Sequence, residues 1–239
     1  MSESNLATIS SEISSCQACP RLVAYRERIS REKIRRFRNE EYWGRPVPGF
    51  GSSEARLWIL GLAPAAHGWN RTGRVFTGDK SGEFLFRFLF EAGFCNQPTS
   101  SAKNVGLVLH DLYLSAVVRC APPDNKPNPS EFDNCRPFLL REFLSLSRLS
   151  LVLVLGALAY REYAKMISNI PGPIRKWPPF FHGLFIPGKQ DGPALLASYH
   201  PSARNTQTGR LTPAMMSDVL SLARRILSDT PPRKQNGTG

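Results

Sequence analysis

The chain has no apolar run long enough to cross a lipid bilayer. The longest one, residues 149–159 (LSLVLVLGALA), has eleven residues, about half of what a transmembrane helix needs, so it fits a buried strand instead. The N-terminal segment MSESNLATIS has neither the basic nor the apolar part of a secretory signal peptide. These absences predict a cytoplasmic protein.

Acidic residues are scarce: 19 Asp and Glu stand against 31 Lys and Arg, and the net charge is +12. This surplus favours a polyanionic partner, because basic side chains release counterions from a phosphate backbone. A general solubility feature is the alternative, and charge alone does not separate DNA, RNA and acidic membranes. An apolar fraction of 41% in 239 residues predicts one globular domain over residues 1–230, followed by a disordered tail at 231–239.

Three common enzyme signatures are also missing. The glycine-containing loop at residues 61–79 has no GKS or GKT and no GxGxxG, and no GxSxG occurs in the chain. The loop is therefore neither a P-loop nor a dinucleotide-binding turn. The missing nucleophile elbow argues against an acyl or phosphoester hydrolase on an α/β sheet.

Four apolar segments have strand character, and helical stretches separate them. The predicted strands are residues 57–62, 112–118, 151–155 and 194–198, and the predicted helices are 12–40, 82–92, 129–146, 157–167 and 213–227. This alternation predicts an α/β fold, a three-layer α/β/α sandwich with a central, mainly parallel four-stranded sheet. Residues 26–38 carry seven Arg and Lys side chains, which form either a solvated face or a phosphate-contacting one.

Four of the five cysteines form two pairs, Cys16 with Cys19 and Cys120 with Cys135. In a reducing compartment such a pattern indicates a four-thiolate site for a metal or a cluster more than two disulfides. Zinc and iron–sulfur both suit four thiolates. Cys95 stands apart, and we expect an ordinary thiol there.

Polar residues follow the predicted strands, where ligands of open α/β sheets bind. Phe76 and Asp79 end the loop after the first strand, Asn125 lies in the Pro-rich loop after the second, and His200 follows the fourth. Each has a structural alternative. Phe76 can be a core residue, Asp79 can cap the next helix, and His200 can be a buried histidine without a ligand.

Four blocks occur in order along the chain: CQAC, GLAPAAHGWNRTGRVFTGD, VVRCAPPDNKP and YHPSARNTQTGRLT. Together they resemble the family 5 (type B) uracil-DNA glycosylases, which belong to the iron–sulfur branch of the uracil-DNA glycosylase superfamily. Two positions differ from the sister family 4. Where family 4 has a first motif like GEAPG, this chain has GLAPA, with no carboxylate at Leu62 or Ala63, and Ala116 stands where family 4 has an Asn. Both departures are typical of family 5.

The resemblance implies a monofunctional DNA glycosylase of base excision repair. Such an enzyme flips uracil, and also other deaminated or damaged bases such as hypoxanthine, out of DNA and hydrolyses the N-glycosidic bond to leave an abasic site. It implies that Phe76 stacks on the flipped base and that His200 donates a hydrogen bond to uracil O2. Because the first-motif carboxylate is missing, we expect Asp79, and next Asn125, to orient the attacking water.

Further roles follow from the same resemblance. Backbone groups of four residues line the base pocket: Ala63, Pro64, Ala65 and Ala66. The loop from Ser202 to Arg204 fills the gap left by the extruded nucleotide. Cys16, Cys19, Cys120 and Cys135 hold a structural 4Fe-4S cluster, with zinc as the alternative. We expect a monomer that binds uracil-containing DNA and no membrane. The competing hypothesis is a non-catalytic nucleic-acid-binding module with a structural four-cysteine site.

Overall fold

The structure is a computed structural model that describes residues 2–103, 106–170, 176–188 and 192–229. The predicted tail at 231–239 lies outside the described residues, and the assignment of one domain to residues 1–230 stays a prediction. No described helix combines the length and the apolar character that crossing a bilayer requires.

A central sheet of six strands organises the fold. Its strands are β1 Phe50–Gly51, β2 Leu57–Gly61, β3 Leu112–Ala116, β4 Leu151–Leu155, β5 Phe185–Ile186 and β6 Ala194–Ser198. Their order is β1-β3-β2-β4-β6-β5, with the four long strands parallel and the two short edge strands antiparallel. The mainly parallel sheet is confirmed. It has six strands and not four, because each edge strand has only two residues and leaves no periodic pattern in the sequence.

The helices cover both faces of the sheet. They are α1 Ser2–Ser15, α2 Pro20–Glu32, α3 Trp69–Thr72, α4 Lys80–Glu91, α5 Pro129–Ser145, α6 Ala157–Ser168, α7 Ala203–Gln207 and α8 Pro213–Asp229. Two 3-10 turns lie at Arg35–Phe37 and Pro123–Asn125. Alternate side chains of the long strands pack on α4 and α8 on one face and on α1, α5 and α6 on the other. The three-layer sandwich is therefore confirmed.

The single helix predicted over residues 12–40 is wrong. The chain leaves helical geometry after Ser15 and re-enters it at Pro20, which occupies the first turn of α2. Proline suits that position because it lacks the N–H that a first-turn residue leaves unpaired. Helix α2 then ends at Glu32, where Lys33 has a positive φ of 49°. The break at residues 16–19 places Cys16 and Cys19 on the turn between α1 and α2.

Candidate active site

A cleft of about 870 Å³ opens beside the loops that follow β2 and β3. Both loops leave the carboxyl ends of parallel strands, which meet at one edge of the sheet. The cleft walls bring together four predicted site residues, namely Ala65, Ala66, Asp79 and Asn125. Its rim carries cationic and aromatic side chains from the segment around α2, among them Arg36 and Tyr25, and Lys80 from α4. The same walls carry the acidic side chains of Glu40, Glu83 and Asp124, so the lining is mixed in charge.

Asp79 lies in the cleft wall and caps α4. Its Oδ1 accepts a hydrogen bond from the Gly82 backbone N–H at 2.9 Å, so the capping role that the sequence allowed is confirmed. Desolvation by burial raises the pKa of Asp79 to about 6, although the N–H groups of Gly82 and Ser81 act to lower it. A carboxylate with this pKa is ionised at neutral pH yet basic enough to accept a proton.

The loop after β2 packs tightly against Asp79. A Cβ added at Gly68 would lie 2.3 Å from Asp79 Oδ2, so only glycine allows this approach. The carbonyl oxygen of Ala65 accepts hydrogen bonds from the N–H groups of Gly68 and Asn70, each at 3.2 Å. The turn therefore holds Ala65 and Ala66 in fixed positions relative to the carboxylate.

Phe76 is fully buried. Its ring packs edge-on against Trp69, with the centroids 4.4 Å apart, and lies 6.5 Å from the His200 ring. The backbone of Phe76 has a φ of +49°, a strained value for an aromatic residue that is typical of functional sites. Phe76 thus belongs to the core, as the structural alternative held, and also adjoins His200.

His200 follows β6 and is held beside the end of β4. Gly156, directly after β4, has a φ of +95°, and a Cβ added there would lie 3.2 Å from the His200 Cβ. The side-chain amide of Asn205 donates to the backbone oxygen of His200 at 2.8 Å. Part of His200 remains accessible, but desolvation still lowers the pKa of His200 to about 4. Its imidazole is therefore neutral across the physiological pH range.

Asn125 is exposed and lies in an unusual backbone turn. Asp124 and Asn125 have φ values of +54° and +56°, which Asn and Asp tolerate better than most residues. The N–H groups of Asn125 and Lys126 donate to the carbonyl oxygens of Pro122 and Pro123. This geometry directs residues 124 and 125 to the cleft, where both contribute to its wall.

Other predicted residues lie outside the cleft. Among the described residues, its walls do not include Phe76, His200 or four more: Ala63, Pro64, Ser202 and Arg204. Ser202 is the N-cap of α7, where its Oγ accepts from the Asn205 N–H at 3.4 Å. Arg204 is exposed on that helix. The cleft therefore gathers the water-orienting candidates but not the whole predicted base pocket.

Two cleft residues were not predicted from the sequence. The Nδ1 of His67 lies 3.0 Å from the Tyr42 hydroxyl, and desolvation, together with the charge of Arg71, lowers the pKa of His67. The buried Arg71 donates to the backbone oxygens of His67 and Gly78 and so ties the two ends of the loop together. A single histidine or arginine inside a long motif gives no signal that could have singled it out.

The four paired cysteines line one small cavity between α2, α5 and the end of β3. N–H donors already reach three of their sulfurs. Arg26 Nη1 lies 3.0 Å from Cys120 Sγ, and Asn134 Nδ2 lies 3.3 Å from Cys19 Sγ. The backbone N–H of Arg119 donates to Cys135. Such donors stabilise thiolates, so the cavity suits a thiolate-bound group.

Burial opposes ionisation of the two deeper thiols. Desolvation raises the pKa of Cys120 to about 11 and that of Cys135 to about 12. A metal or cluster must displace these protons, because only the thiolate is a ligand. Cys95 is buried elsewhere, with its Sγ 3.2 Å from the Gln97 carbonyl oxygen, which agrees with an ordinary thiol.

Four thiolates around one cavity suit either a zinc ion or a 4Fe-4S cluster. One zinc ion would bind all four sulfurs at about 2.3 Å, whereas each thiolate of a 4Fe-4S cluster binds a different iron. The four cysteines that line this cavity therefore fit a thiolate-bound metal or cluster.

The sequence was compared with known protein families and curated proteins. Residues 48–224 match the family model described as the uracil DNA glycosylase superfamily. The chain is 44% identical to the type-5 uracil-DNA glycosylase of Mycobacterium leprae, over 93% of this chain and 96% of the relative. It is 46% identical to the type-5 enzyme of Thermus thermophilus, over 90% and 94% of the two chains. The chain belongs to the type-5 uracil-DNA glycosylases.

A type-4 uracil-DNA glycosylase is more distant from this type-5 chain. The enzyme of Saccharolobus solfataricus is 26% identical over 83% of this chain and 76% of its own length. Two positions expected to separate the types lie at the carboxyl ends of neighbouring strands. Leu62 follows β2 and is partly exposed, and Ala116 ends β3 and is buried. Neither apolar side chain can replace the polar side chain expected of a type-4 enzyme.

Proposed function

We propose that this chain is a uracil-DNA glycosylase of DNA repair, which hydrolyses the N-glycosidic bond of uracil in DNA and leaves an abasic site. Its membership of the type-5 family over nearly the whole chain supports this activity. The observation that carries the mechanism is the Asp79 carboxylate, which is fixed by the cap of α4 in the wall of the cleft.

Asp79 would orient the attacking water. With a pKa near 6, its carboxylate is ionised at neutral pH and can accept a water proton as the oxygen attacks C1′ of the deoxyribose. Asn125 lines the same cleft, and its amide can hold the water by a second hydrogen bond. This pair would take the place of the first-motif carboxylate that Leu62 and Ala63 do not supply.

His200 would stabilise the departing base. When the bond from C1′ to uracil N1 breaks, the electron pair stays with the base, and negative charge spreads onto O2. A neutral imidazole can donate one N–H to that oxygen without a proton transfer. Because the pKa of His200 is near 4, this donor is neutral across the working pH range. One oriented donor of this kind is worth about 3–4 kcal/mol of barrier.

Phe76 would stack on the flipped base, with Ala63 to Ala66 lining the pocket through their backbone groups. The Phe76 ring is fully buried in the structure. Stacking therefore requires that the side chains packed on it move when the base enters. The strained φ of Phe76 and its position beside His200 support a role at the base. The missing first-motif carboxylate and the small side chain of Ala116 would let the pocket accept other deaminated bases, hypoxanthine among them.

The DNA backbone would contact the basic side chains at the cleft. Arg36 and Lys80 line the cleft. Arg204 is exposed and follows His200 by four residues in the chain. Phosphates neutralised by such side chains release counterions. The loop from Ser202 to Arg204 would fill the gap left by the flipped nucleotide. We expect the enzyme to act as a monomer in the cytoplasm.

We further propose that Cys16, Cys19, Cys120 and Cys135 hold a 4Fe-4S cluster. When bound, the cluster would supply a structural link and no chemistry to the hydrolysis, which transfers no electrons. It would tie the turn before α2 to α5 and to the end of β3. The Asn125 turn begins three residues after Cys120, so this link would also steady the cleft wall.

The experiment uses labelled duplexes with one U:G or one U:A pair, incubated with the protein and then treated with alkali. We expect strand scission at the uracil position and none in matched duplexes with thymine or cytosine there. The variants Asp79→Asn and His200→Ala should fold and excise slowly. Scission at equal rates in both variants and the wild type would contradict the assigned roles.

A further inference from the structure

Two buried guanidinium groups face the cysteine cavity. Arg26 on α2 and Arg119, directly before Cys120, are each 1% exposed, and both line the cavity with the four cysteines. A buried charge is costly unless it is paired. The partners of these two groups therefore indicate what the cavity is built to hold.

The Arg26 guanidinium has hydrogen-bond partners at its two terminal nitrogens only. Its Nη1 lies 3.0 Å from Cys120 Sγ, and both terminal nitrogens approach the Cys16 backbone oxygen, at 3.2 and 3.3 Å. Its Nη2 also donates to Gln17 Oε1 at 3.1 Å. None of these groups is a carboxylate, and Arg26 Nε has no hydrogen-bond partner among the described residues. The positive charge of Arg26 is thus not neutralised by a neighbouring acid.

Arg119 has one acidic partner that covers only part of its guanidinium. Its Nη2 donates to Glu142 Oε2 at 2.6 Å, and the other oxygen of Glu142 accepts from the Tyr113 hydroxyl at 2.9 Å. Arg119 Nε and Nη1 are buried and have no partner within the described ranges. Arg119 therefore keeps two donor nitrogens without a partner, and its charge interacts with the Cys135 thiol in the same cavity.

Three donor nitrogens have no partner, namely Arg26 Nε, Arg119 Nε and Arg119 Nη1, and the charge of Arg26 has no acidic partner. One explanation accounts for both observations. A cluster with four thiolate ligands is negatively charged and presents sulfur acceptors on every side. We propose that Arg26 and Arg119 are positioning residues for the cluster, which donate N–H groups to its sulfur atoms and offset its negative charge. This inference rests on the proposed cluster and not on the proposed glycosylase activity.

The two arginines would then set the reduction potential of the cluster. Adding an electron to a negatively charged group is easier when nearby positive charge offsets it. Removing the Arg26 charge should therefore lower the potential. Glu142 acts in the opposite sense, because its carboxylate offsets the charge of Arg119. Replacing Glu142 by a neutral residue should raise the potential. A purely structural role for Arg26 predicts no such pair of opposite shifts.

The test uses three variants of the full chain purified without oxygen. Arg26→Met removes the charge and the donors but keeps much of the side-chain volume. Glu142→Gln removes the opposing charge and keeps a hydrogen-bonding group for Tyr113. Arg28→Met is the matched control, since Arg28 lies two residues further on α2, is exposed, and contacts Glu32 at 4.0 Å and the Tyr25 ring at 5.5 Å from its centroid but no cysteine. Arg26→Lys tests whether charge alone restores the wild-type value.

Each protein is titrated with dithionite while the paramagnetic signal of the reduced cluster is recorded. We expect a lower midpoint in Arg26→Met, a partial return in Arg26→Lys, a higher midpoint in Glu142→Gln and no shift in Arg28→Met. The visible cluster absorption of Arg26→Met should also bleach faster with an iron chelator. Equal midpoints and bleaching rates in all proteins would overturn the inference. If Arg26→Met does not fold, the direction of the Glu142→Gln shift decides.

Failure of this inference differs from failure of the proposed function. A wild-type protein without the visible iron–sulfur absorption would overturn both the cluster and the role of its arginines. Uracil release from DNA would then still be measured separately. Conversely, a protein with the cluster and its predicted midpoint shifts but without uracil release would refute only the glycosylase proposal.

Discussion

Replacing Asp79 by Asn should separate its catalytic role from its structural one. Asn is as good an N-cap as Asp, so the bond from the Gly82 N–H, now 2.9 Å from Asp79 Oδ1, can be kept. An amide cannot take a proton from water. We therefore expect a folded protein whose single-turnover rate of uracil excision is about 10²–10⁴-fold lower, the usual contribution of a positioned base.

The pH dependence follows from the same group. With a pKa near 6, Asp79 is about one-tenth ionised at pH 5, so the wild-type excision rate should be about tenfold below its plateau there. The rate should be flat above about pH 7. His200, with a pKa near 4, should add no step in this range. This fall in rate at low pH is the acid limb of the profile, and the Asp79→Asn variant should lose it.

Stability should change in the opposite direction to activity. The pKa of Asp79 rises from 3.8 to about 6, so the folded state holds the proton more tightly and ionised Asp79 lowers the free energy of unfolding above pH 6. That cost disappears as the pH falls through 6 towards 3.8. Asp79→Asn should thus gain at most about 3 kcal/mol at pH 7.

The rate is measured as single-turnover excision of a U:G duplex from pH 5 to 8, with samples quenched over time. The free energy of unfolding is measured by urea at pH 7 and pH 4. Serine at position 81 provides a control, because Ser81→Ala alters the same turn and leaves the carboxylate. An Asp79→Asn variant that keeps both the wild-type rate and the acid limb would refute the assignment of Asp79 as the base.

Three further outcomes are expected. His200→Ala should slow excision by about 10²–10³-fold without changing the acid limb, as measured under single turnover. Gly82→Ala should lower the melting temperature and the excision rate together, because the new Cβ would lie 2.0 Å from the Phe76 carbonyl oxygen. Such overpacking costs about 1–3 kcal/mol, and an unchanged melting temperature would contradict the packing. Arg119→Leu should cost about 3–5 kcal/mol in urea unfolding, because it leaves Glu142 buried without its cation; a loss below 1 kcal/mol would contradict the buried pair.

The long strands were predictable because each is a continuous apolar run between turn residues. All four appear within two residues of their predicted ends. The edge strand at Phe50–Gly51 was not predictable, since two residues carry no period and pairing with β3 alone defines it. The helix over residues 12–40 failed because apolar spacing continues across the CxxC turn, where Pro20 and the cysteine geometry interrupt the backbone.

The site shows a similar division. The pairing of distant cysteines and the position of Asp79 follow from the motifs and the strand order. The structure places the four cysteines around one cavity and Asp79 in the wall of the cleft. The complete burial of Phe76 depends on packing against Trp69 of α3, which no local pattern encodes. The same holds for His67, whose partner Tyr42 is 25 residues away. Charge partners such as Glu142 for Arg119 are set by the packing of α5 on the sheet.

We propose above that this chain hydrolyses the bond between uracil and deoxyribose. The most direct measurement is the release of free uracil from a U:G duplex, identified by mass spectrometry together with the abasic strand. We expect one uracil and one abasic site for each duplex converted, and none with a matched C:G duplex. Retardation of the duplex in a gel without any released uracil would contradict it and would favour a non-catalytic DNA-binding module.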